Sequence, residues 1–487
     1  MEGNNNNTTA RTAQWREELR GAMSAKERSS IPRVAMPELS PDYRITCNEE
    51  VNCGISHDQA VLEATRCLDC PDPQCVQGCP VNIDIPAFIK NIQRDDINEA
   101  ARVLRMTSAL PAVCGRVCPQ EKQCESRCIY NKMKKQPVAI GYLERFAADN
   151  ATLVDSETSE PNGIKIAVAG SGPAGLSFAG EMARKGFSVT VFEALHEIGG
   201  VLKYGIPEFR LPNAIVDKEI EALTGLGVEF VKNCIIGKTL SYEDLESMGF
   251  KGLFVASGAG LPRFMGIPGE NYVGVMSSNE YLTRVNLMGA GRGNNDTPVF
   301  MGKNVAIIGG GNTAMDSVRT ARRMGAERVM LVYRRSEEEM PARVEEIKHA
   351  KEEGVEFLTL HNPIEYTADE RGRVSSMKLQ RMRLGEPDAS GRRSPEPIEG
   401  DIIDVPVDMV IVSVGVSPNP LIPNAIEGLE VSKRGTITVD PETMQSSIAT
   451  LYAGGDIVRG GATVILAMGD GRRAAAAMAD ALAETKC

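Results

Sequence analysis

The chain reads as an α/β protein with an α-helical N-terminal domain, on three observations. Eight of its twelve cysteines fall in two tight runs between residues 67 and 128. Two glycine-rich turns, at Gly170 and Gly309, each follow an apolar run and open a helix-like one. From about residue 160 onward, apolar β-runs alternate with Gly-rich turns and Ala-rich stretches, the texture of parallel sheets covered by helices. The expected organisation starts with an arm, 1–40, loosely ordered on its Asn-rich start and Ser/Pro content. A helical cysteine domain follows at 41–155. Two Rossmann-like dinucleotide-binding domains complete the chain, one inserted in the other: 160–280 and 406–487 flank 281–405.

Bulk properties fit a large enzyme. At 487 residues and 42% hydrophobic, the chain can bury several cores. A net charge of −11 and a pI near 5.2 argue against a nucleic-acid surface. No apolar run approaches the roughly 18 residues that span a bilayer, and the start Met1-Glu2-Gly3-Asn4 has no apolar segment of a secretory signal. A cytoplasmic location is expected, where reduced thiols favour metal ligation over disulfides.

In the cysteine domain, helical periodicity predicts helices over 57–67, with Ser56 as N-cap, and over 86–93 and 97–106. The first run holds Cys67, Cys70, Cys75 and Cys79, followed by Pro80; the second holds Cys114, Cys118, Cys124 and Cys128. Thiolates two to five residues apart, with proline after a closing cysteine, resemble ferredoxin-type ligation of iron–sulfur clusters. Counting alone gives two [4Fe–4S] clusters on all eight thiolates, with structural zinc as the competing use of such spacing. Cys47, Cys53, Cys234 and Cys487 lack ligand spacing. His57, His196, His349 and His361 are too scattered for a haem or zinc site. The polar stretch 149–163 reads as a linker.

The first dinucleotide unit is Lys165-Ile-Ala-Val-Ala-Gly170-Ser-Gly172-Pro-Ala-Gly175, answered by Glu193 at the end of the next strand. Gly170 permits the tight turn, Gly172 lets backbone approach a pyrophosphate, and Gly175 lets helix and strand pack closely. Glu193 is placed to accept hydrogen bonds from a ribose. The second unit carries Gly309, Gly311, Asn312 and Thr313, with Ala314 at the third glycine position. Its second strand ends in Arg334 and Arg335. Guanidinium groups there suit a 2′-phosphate, so NADPH is expected over NADH. Glu337, Glu338 and Glu339 compete for those arginines.

The apolar runs ending at Gly258 and Gly415 suit the points where the chain leaves one dinucleotide domain and returns. Near the C-terminus a short strand leads into Gly455 and Asp456, and Gly460 to Thr463 open an Ala-rich helix. Asp456 could hold a ribityl hydroxyl and the helix N-terminus a flavin; the alternative is a simple helix cap. The implied order is FAD segment, inserted NADPH domain, FAD segment. Lys203, Glu208 and Arg210 either line the flavin or build a loop.

These segments resemble the small (beta) subunit family of NADPH-dependent glutamate synthase over nearly the whole chain. The large subunit of NADH-dependent ferredoxin:NADP oxidoreductase and the N-terminal half of dihydropyrimidine dehydrogenase are similar. The resemblance rests on the residues around Cys67 and Cys70, Cys79-Pro-Val-Asn-Ile, Gly115-Arg-Val-Cys118-Pro-Gln-Glu, Gly205-Ile-Pro-Glu-Phe-Arg-Leu-Pro212 and Gly309-Gly-Gly-Asn-Thr-Ala-Met-Asp316. It implies one cluster on Cys67, Cys70, Cys75 and Cys128. The other would take Cys79, Cys118, Cys124 and Glu144, leaving Cys114 free; spacing alone leaves Cys114 as the alternative ligand. It also implies electron transfer from NADPH through FAD and two [4Fe–4S] clusters to a partner. That partner is a larger FMN-containing glutamate synthase subunit or a ferredoxin-reductase-like subunit. The chain itself has neither a cysteine at residue 2 for an N-terminal-nucleophile glutaminase nor spare length for an FMN barrel.

Overall fold

The structure, a computed structural model, describes residues 10–152, 159–291, 295–389 and 391–484. Asn4 to Asn7 and Cys487 lie outside the described residues. Helices dominate as far as Asn150. His57–Arg66 starts on Ser56 in a capping box with Gln59, while Asp84 and Asp96 cap Ile85–Gln93 and Ile97–Arg105 by accepting from backbone N–H groups at 3.1 Å. Ile85, Phe88, Ile89 and Ile92 are buried, so this helix forms the centre of the domain.

From residue 10 the N-terminal segment is folded, contrary to the expectation of a loose arm. It forms helices Gln14–Gly21 and Ala25–Ser30, and its polar residues are what anchor it. Buried Arg16 pairs with buried Asp69, Arg20 adds a second ion pair at 2.6 Å, and Arg28 donates to the Thr65 carbonyl at 2.7 Å. Polar composition signals disorder only where the charges lack buried partners. The start of the expected 149–163 linker is helical, since Asp149 lies in helix Ile140–Asn150 and pairs with Arg116 at 2.8 Å.

Two five-stranded parallel sheets follow. In the first, Leu451–Ala453, Phe250–Val255, Lys165–Ala169, Ser188–Phe192 and Glu229–Val231 lie side by side. In the second the order is Val275–Ser277, Met409–Val412, Asn304–Ile308, Arg328–Tyr333, Glu356–Thr359. The second domain therefore reaches further both ways than 281–405. Met409–Val412 is buried throughout and pairs with both Val275–Ser277 and Asn304–Ile308, so these first two strands of the sheet both leave the flanking segments assigned from sequence. A doubly covered parallel strand is apolar in either sheet, and only its pairing reveals which. The two crossings, Leu261–Pro262 and Val416–Ser417, pair antiparallel with each other. A three-stranded antiparallel sheet, His361–Ala368, Val374–Pro387 and Arg393–Pro406, extends from the second domain.

Helix Pro173–Arg184 packs closely on Val464–Glu484. A Cβ on Gly471 would stand 2.4 Å from the Ala174 carbonyl oxygen. The same long helix braces the cysteine domain: Arg472 donates to the carbonyls of Thr107 at 2.6 Å and Val81 at 3.1 Å. Among the described residues no helix is long and apolar enough to cross a membrane.

Candidate functional site

A single cavity of about 1180 Å³ runs between the two sheets, lined from both glycine-rich turns and from the start of the C-terminal helix. On the first side Gly170 has φ +107°, and a Cβ on Gly175 would stand 2.0 Å from the Gly170 carbonyl oxygen. Gly172 is different: nothing lies within 4 Å of where its Cβ would be, so it leaves open the space that a pyrophosphate needs at a helix N-terminus. Gly311 leaves the same space in the second unit.

Glu193 is buried beside the cavity. Its carboxylate accepts from the Ser171 backbone N–H at 2.9 Å, from the Ser171 hydroxyl at 2.5 Å and from the Leu195 N–H at 2.9 Å. Ser171 was invisible as a partner because it sits between two motif glycines. Across the cavity Gly455, at φ +77°, donates to Asp470, while Asp456 accepts from the Ala462 N–H at 2.9 Å and burial pushes its carboxyl up. Asp470 is fully buried and bonded by Arg459 at 2.6 Å and Arg473 at 2.5 Å. Its one sequence signal is an acid on the inward face of an Ala-rich helix. Gly461, Ala462 and Thr463 also line the cavity, beside the start of that helix.

On the second side Gly309 has φ +141°, and Gly311, Asn312 and Thr313 line the cavity. The Asn312 side chain accepts from the Arg343 N–H at 2.9 Å. The arginine pair at the strand end is split. Arg335 is buried and turned to the antiparallel sheet, donating to the Arg393 carbonyl at 2.8 Å and to Asp388 at 2.6 Å. Arg334 is exposed. The acids after them do not claim either: Glu337 pairs with Lys351 at 2.6 Å and Glu339 caps Ser336.

Of the loop residues, only Arg210 faces the cavity. It pairs with Asp316 of the second unit's helix at 2.6 Å and with Glu346 at 3.2 Å, joining the two domains across the cavity. Burial pushes the Asp316 carboxyl up to about 6 against the opposing Arg210 charge. Lys203 pairs instead with Asp217 at 2.6 Å and Glu197 at 3.0 Å, and Glu208 accepts from the Asn213 N–H at 3.1 Å.

The cysteines gather into two groups. Cys67, Cys70, Cys75 and Cys128 are half-buried; burial and their mutual proximity push the Cys75 thiol up, and the Cys70 thiol to about 11. Cys79, Cys118 and Cys124 are buried and act on one another and on Glu144. Glu144 is buried, its Oε1 has no hydrogen-bond partner, and burial pushes its carboxyl up to about 8. Cys114 adjoins Cys118, with its sulfur 3.5 Å from the Met468 sulfur. Among the described residues no three cysteine sulfurs lie within 4.8 Å of one another. The orphaned buried carboxylate beside these thiols suits a ligand to a metal cluster.

Residues 44–155 match the family described as dihydropyrimidine dehydrogenase domain II, 4Fe-4S cluster, and residues 164–479 match the pyridine nucleotide-disulphide oxidoreductase family. The glutamate synthase [NADPH] small chain of Escherichia coli (strain K12) is 39% identical over 456 residues, 91% of this chain and 96% of that one. The NADP(+)-dependent formate dehydrogenase subunit beta of Moorella thermoacetica is 39% identical over 429 residues, 82% of this chain but 59% of that one. Among solved structures, Mycobacterium tuberculosis FprA in complex with NADPH has the same reductase fold, with a TM-score of 0.56 at 20% identity over 67% of this chain and 86% of that one. The chain belongs to the family of the NADPH-dependent glutamate synthase small chain and is an NADPH-dependent flavin and iron–sulfur oxidoreductase.

Proposed function

We propose that the protein oxidises NADPH and sends the electrons singly through two [4Fe–4S] clusters to a partner subunit, in the cytoplasm, for glutamate synthesis from glutamine and 2-oxoglutarate. One observation carries this reading. Val117 and Pro119, on either side of Cys118, line the same cavity as Gly172 and Asn312, so the cysteine domain opens directly onto the dinucleotide site. FAD, when bound, takes a hydride as an electron pair and releases electrons one at a time.

The chain's residues divide this work. Gly170, Gly172 and Gly175 shape the FAD turn, Glu193 takes a ribose hydroxyl, and Gly455 and Asp456 close the flavin side. Gly309, Gly311, Asn312 and Thr313 hold the NADPH pyrophosphate, and exposed Arg334 takes the 2′-phosphate while Arg335 fixes the loop behind it. Cys67, Cys70, Cys75 and Cys128 form one ligand set. Cys79, Cys118, Cys124 and Glu144 form the other, because Glu144 has a buried oxygen in need of a partner and Cys114 already packs on Met468.

The partner decides the net reaction. Purified anaerobically from its native host, the protein is expected to bring down a larger FMN-containing subunit and to support NADPH-driven glutamate formation. A smaller partner with FAD and a [2Fe–2S] cluster would refute that role and indicate the ferredoxin:NADP oxidoreductase reading instead.

A further inference from the structure

The two cysteine sets sit in unlike electrostatic surroundings. Next to the first, Lys90 is fully buried, and its ammonium donates to the Cys67 carbonyl at 2.6 Å and to the Gln93 side chain at 2.7 Å. Arg28, also buried, donates to the carbonyls of Thr65 at 2.7 Å, Met23 at 3.2 Å and Leu19. Neither makes an ion pair with a carboxylate among the described residues. The Asp69 carboxylate that acts on both is already bonded by Arg16 and Arg20. Burial pushes the Cys67 thiol up, and the Lys90 ammonium opposes it.

The second set is different. Glu125 is paired with Arg33 at 2.8 Å, Arg343 with Glu345 at 3.2 Å and Glu219 with Arg105 at 3.0 Å. What is left over there is a carboxylate, Glu144, with an unpartnered oxygen.

Buried cations without anions are strongly unfavourable, so an anion belongs beside Lys90 and Arg28. An iron–sulfur cluster on four thiolates is such an anion, and one-electron reduction adds a further negative charge without requiring a proton. Fixed positive charge nearby favours the reduced form, and net charge and hydrogen bonding are what tune such potentials. We propose that Lys90 and Arg28 raise the reduction potential of the cluster held by Cys67, Cys70, Cys75 and Cys128 above that of the cluster held by Cys79, Cys118, Cys124 and Glu144. Each electron that leaves the second cluster for the first then moves downhill, from the set bordering the cavity to the half-exposed set. This inference rests on the ligand assignment proposed above.

The test is an EPR-monitored redox titration of the full chain, purified anaerobically, as wild type, Lys90→Met and Lys90→Arg. Lys90→Met is expected to lower one cluster's one-electron reduction equilibrium about tenfold, or about 59 mV. The other cluster is expected to move far less, and Lys90→Arg to stay near wild type. Should Lys90→Met lose iron, Arg28→Gln carries the same expectation and decides the matter. Loaded variants whose two midpoints stay put, or move equally, overturn the proposal. A wild-type chain that takes up no iron overturns the ligand assignment itself, before any potential is compared.

Discussion

The two dinucleotide units share a sheet topology and a glycine pattern, yet they differ at the third fingerprint position and at the end of the second strand. In the first unit Gly175 is pressed against the Gly170 carbonyl; in the second the same position is Ala314, fully buried and accommodated. The first helix is also packed on a second helix, with Gly471 against Ala174, and this outer layer helps hold it close to its strand. At the strand ends, Glu193 is drawn inward by Ser171 and Leu195, whereas Arg334 is left in solvent. The common pattern makes room for a pyrophosphate with backbone alone. Coenzyme choice is left to the few side chains outside it.

Exchanging the third positions is the harshest way to break this comparison. Gly175→Ala is expected to abolish flavin binding, leaving protein without a flavin absorbance band, because a methyl group 2.0 Å from a backbone oxygen forces helix and turn apart. Ala314→Gly should cost only about 1 kcal/mol of stability by chemical denaturation, the helix-propensity difference. Equal effects would show that the two turns are packed alike.

The contact between the units gives a pH dependence. Burial raises the Asp316 carboxyl from its usual range to about 6 in the folded protein, so between roughly pH 4 and 6 the folded chain binds a proton that the unfolded chain does not. Its contribution to stability is thus full below pH 4 and declines as the pH rises through 6. Asp316→Asn is expected to flatten this slope by about 2 kcal/mol in denaturant melts taken at pH 4 and pH 7. An unchanged slope would place the titration elsewhere.

Smaller effects sharpen the difference at the strand ends. Arg334→Ala should raise KM for NADPH about tenfold and leave NADH turnover unmoved, the loss of one charge-assisted contact. Arg335→Ala should change KM less than about threefold and instead lower the melting temperature by a few degrees, since its partners are Asp388 and a carbonyl of the antiparallel sheet. If Arg335 proves the stronger determinant of KM, the loop rearranges when coenzyme binds.

Much of this was legible in the chain. Glycine turns that follow apolar runs report local backbone demands, so both dinucleotide units and the Ser56-capped helix could be placed from neighbouring residues alone. Long-range partners were not legible. Met409–Val412 has the same apolar character in either sheet, and its place is fixed by Asn304–Ile308, a hundred residues earlier. The buried contacts of Arg16 with Asp69 and of Arg28 with the Thr65 carbonyl join residues 53 and 37 positions apart, which the composition of the arm does not reveal. Arg210 and Asp316 belong to different domains, and neither motif contains a hint of the other. Asp470 was hidden by its alanine-rich context.

The paired crossings Leu261–Pro262 and Val416–Ser417 carry a consequence for how such proteins diversify. The inserted domain enters and leaves the chain at neighbouring points, so its exchange needs only two adjacent chain junctions, together with new partners for Arg44 and Arg210, which now pair with its Glu353 and Asp316. A replacement domain with another coenzyme preference could be grafted there while the cysteine domain, the first sheet and the C-terminal helix keep their mutual contacts. The electron-carrying half of the molecule is thus coupled to its fuel-binding module by buried ion pairs as well as by two neighbouring stretches of chain.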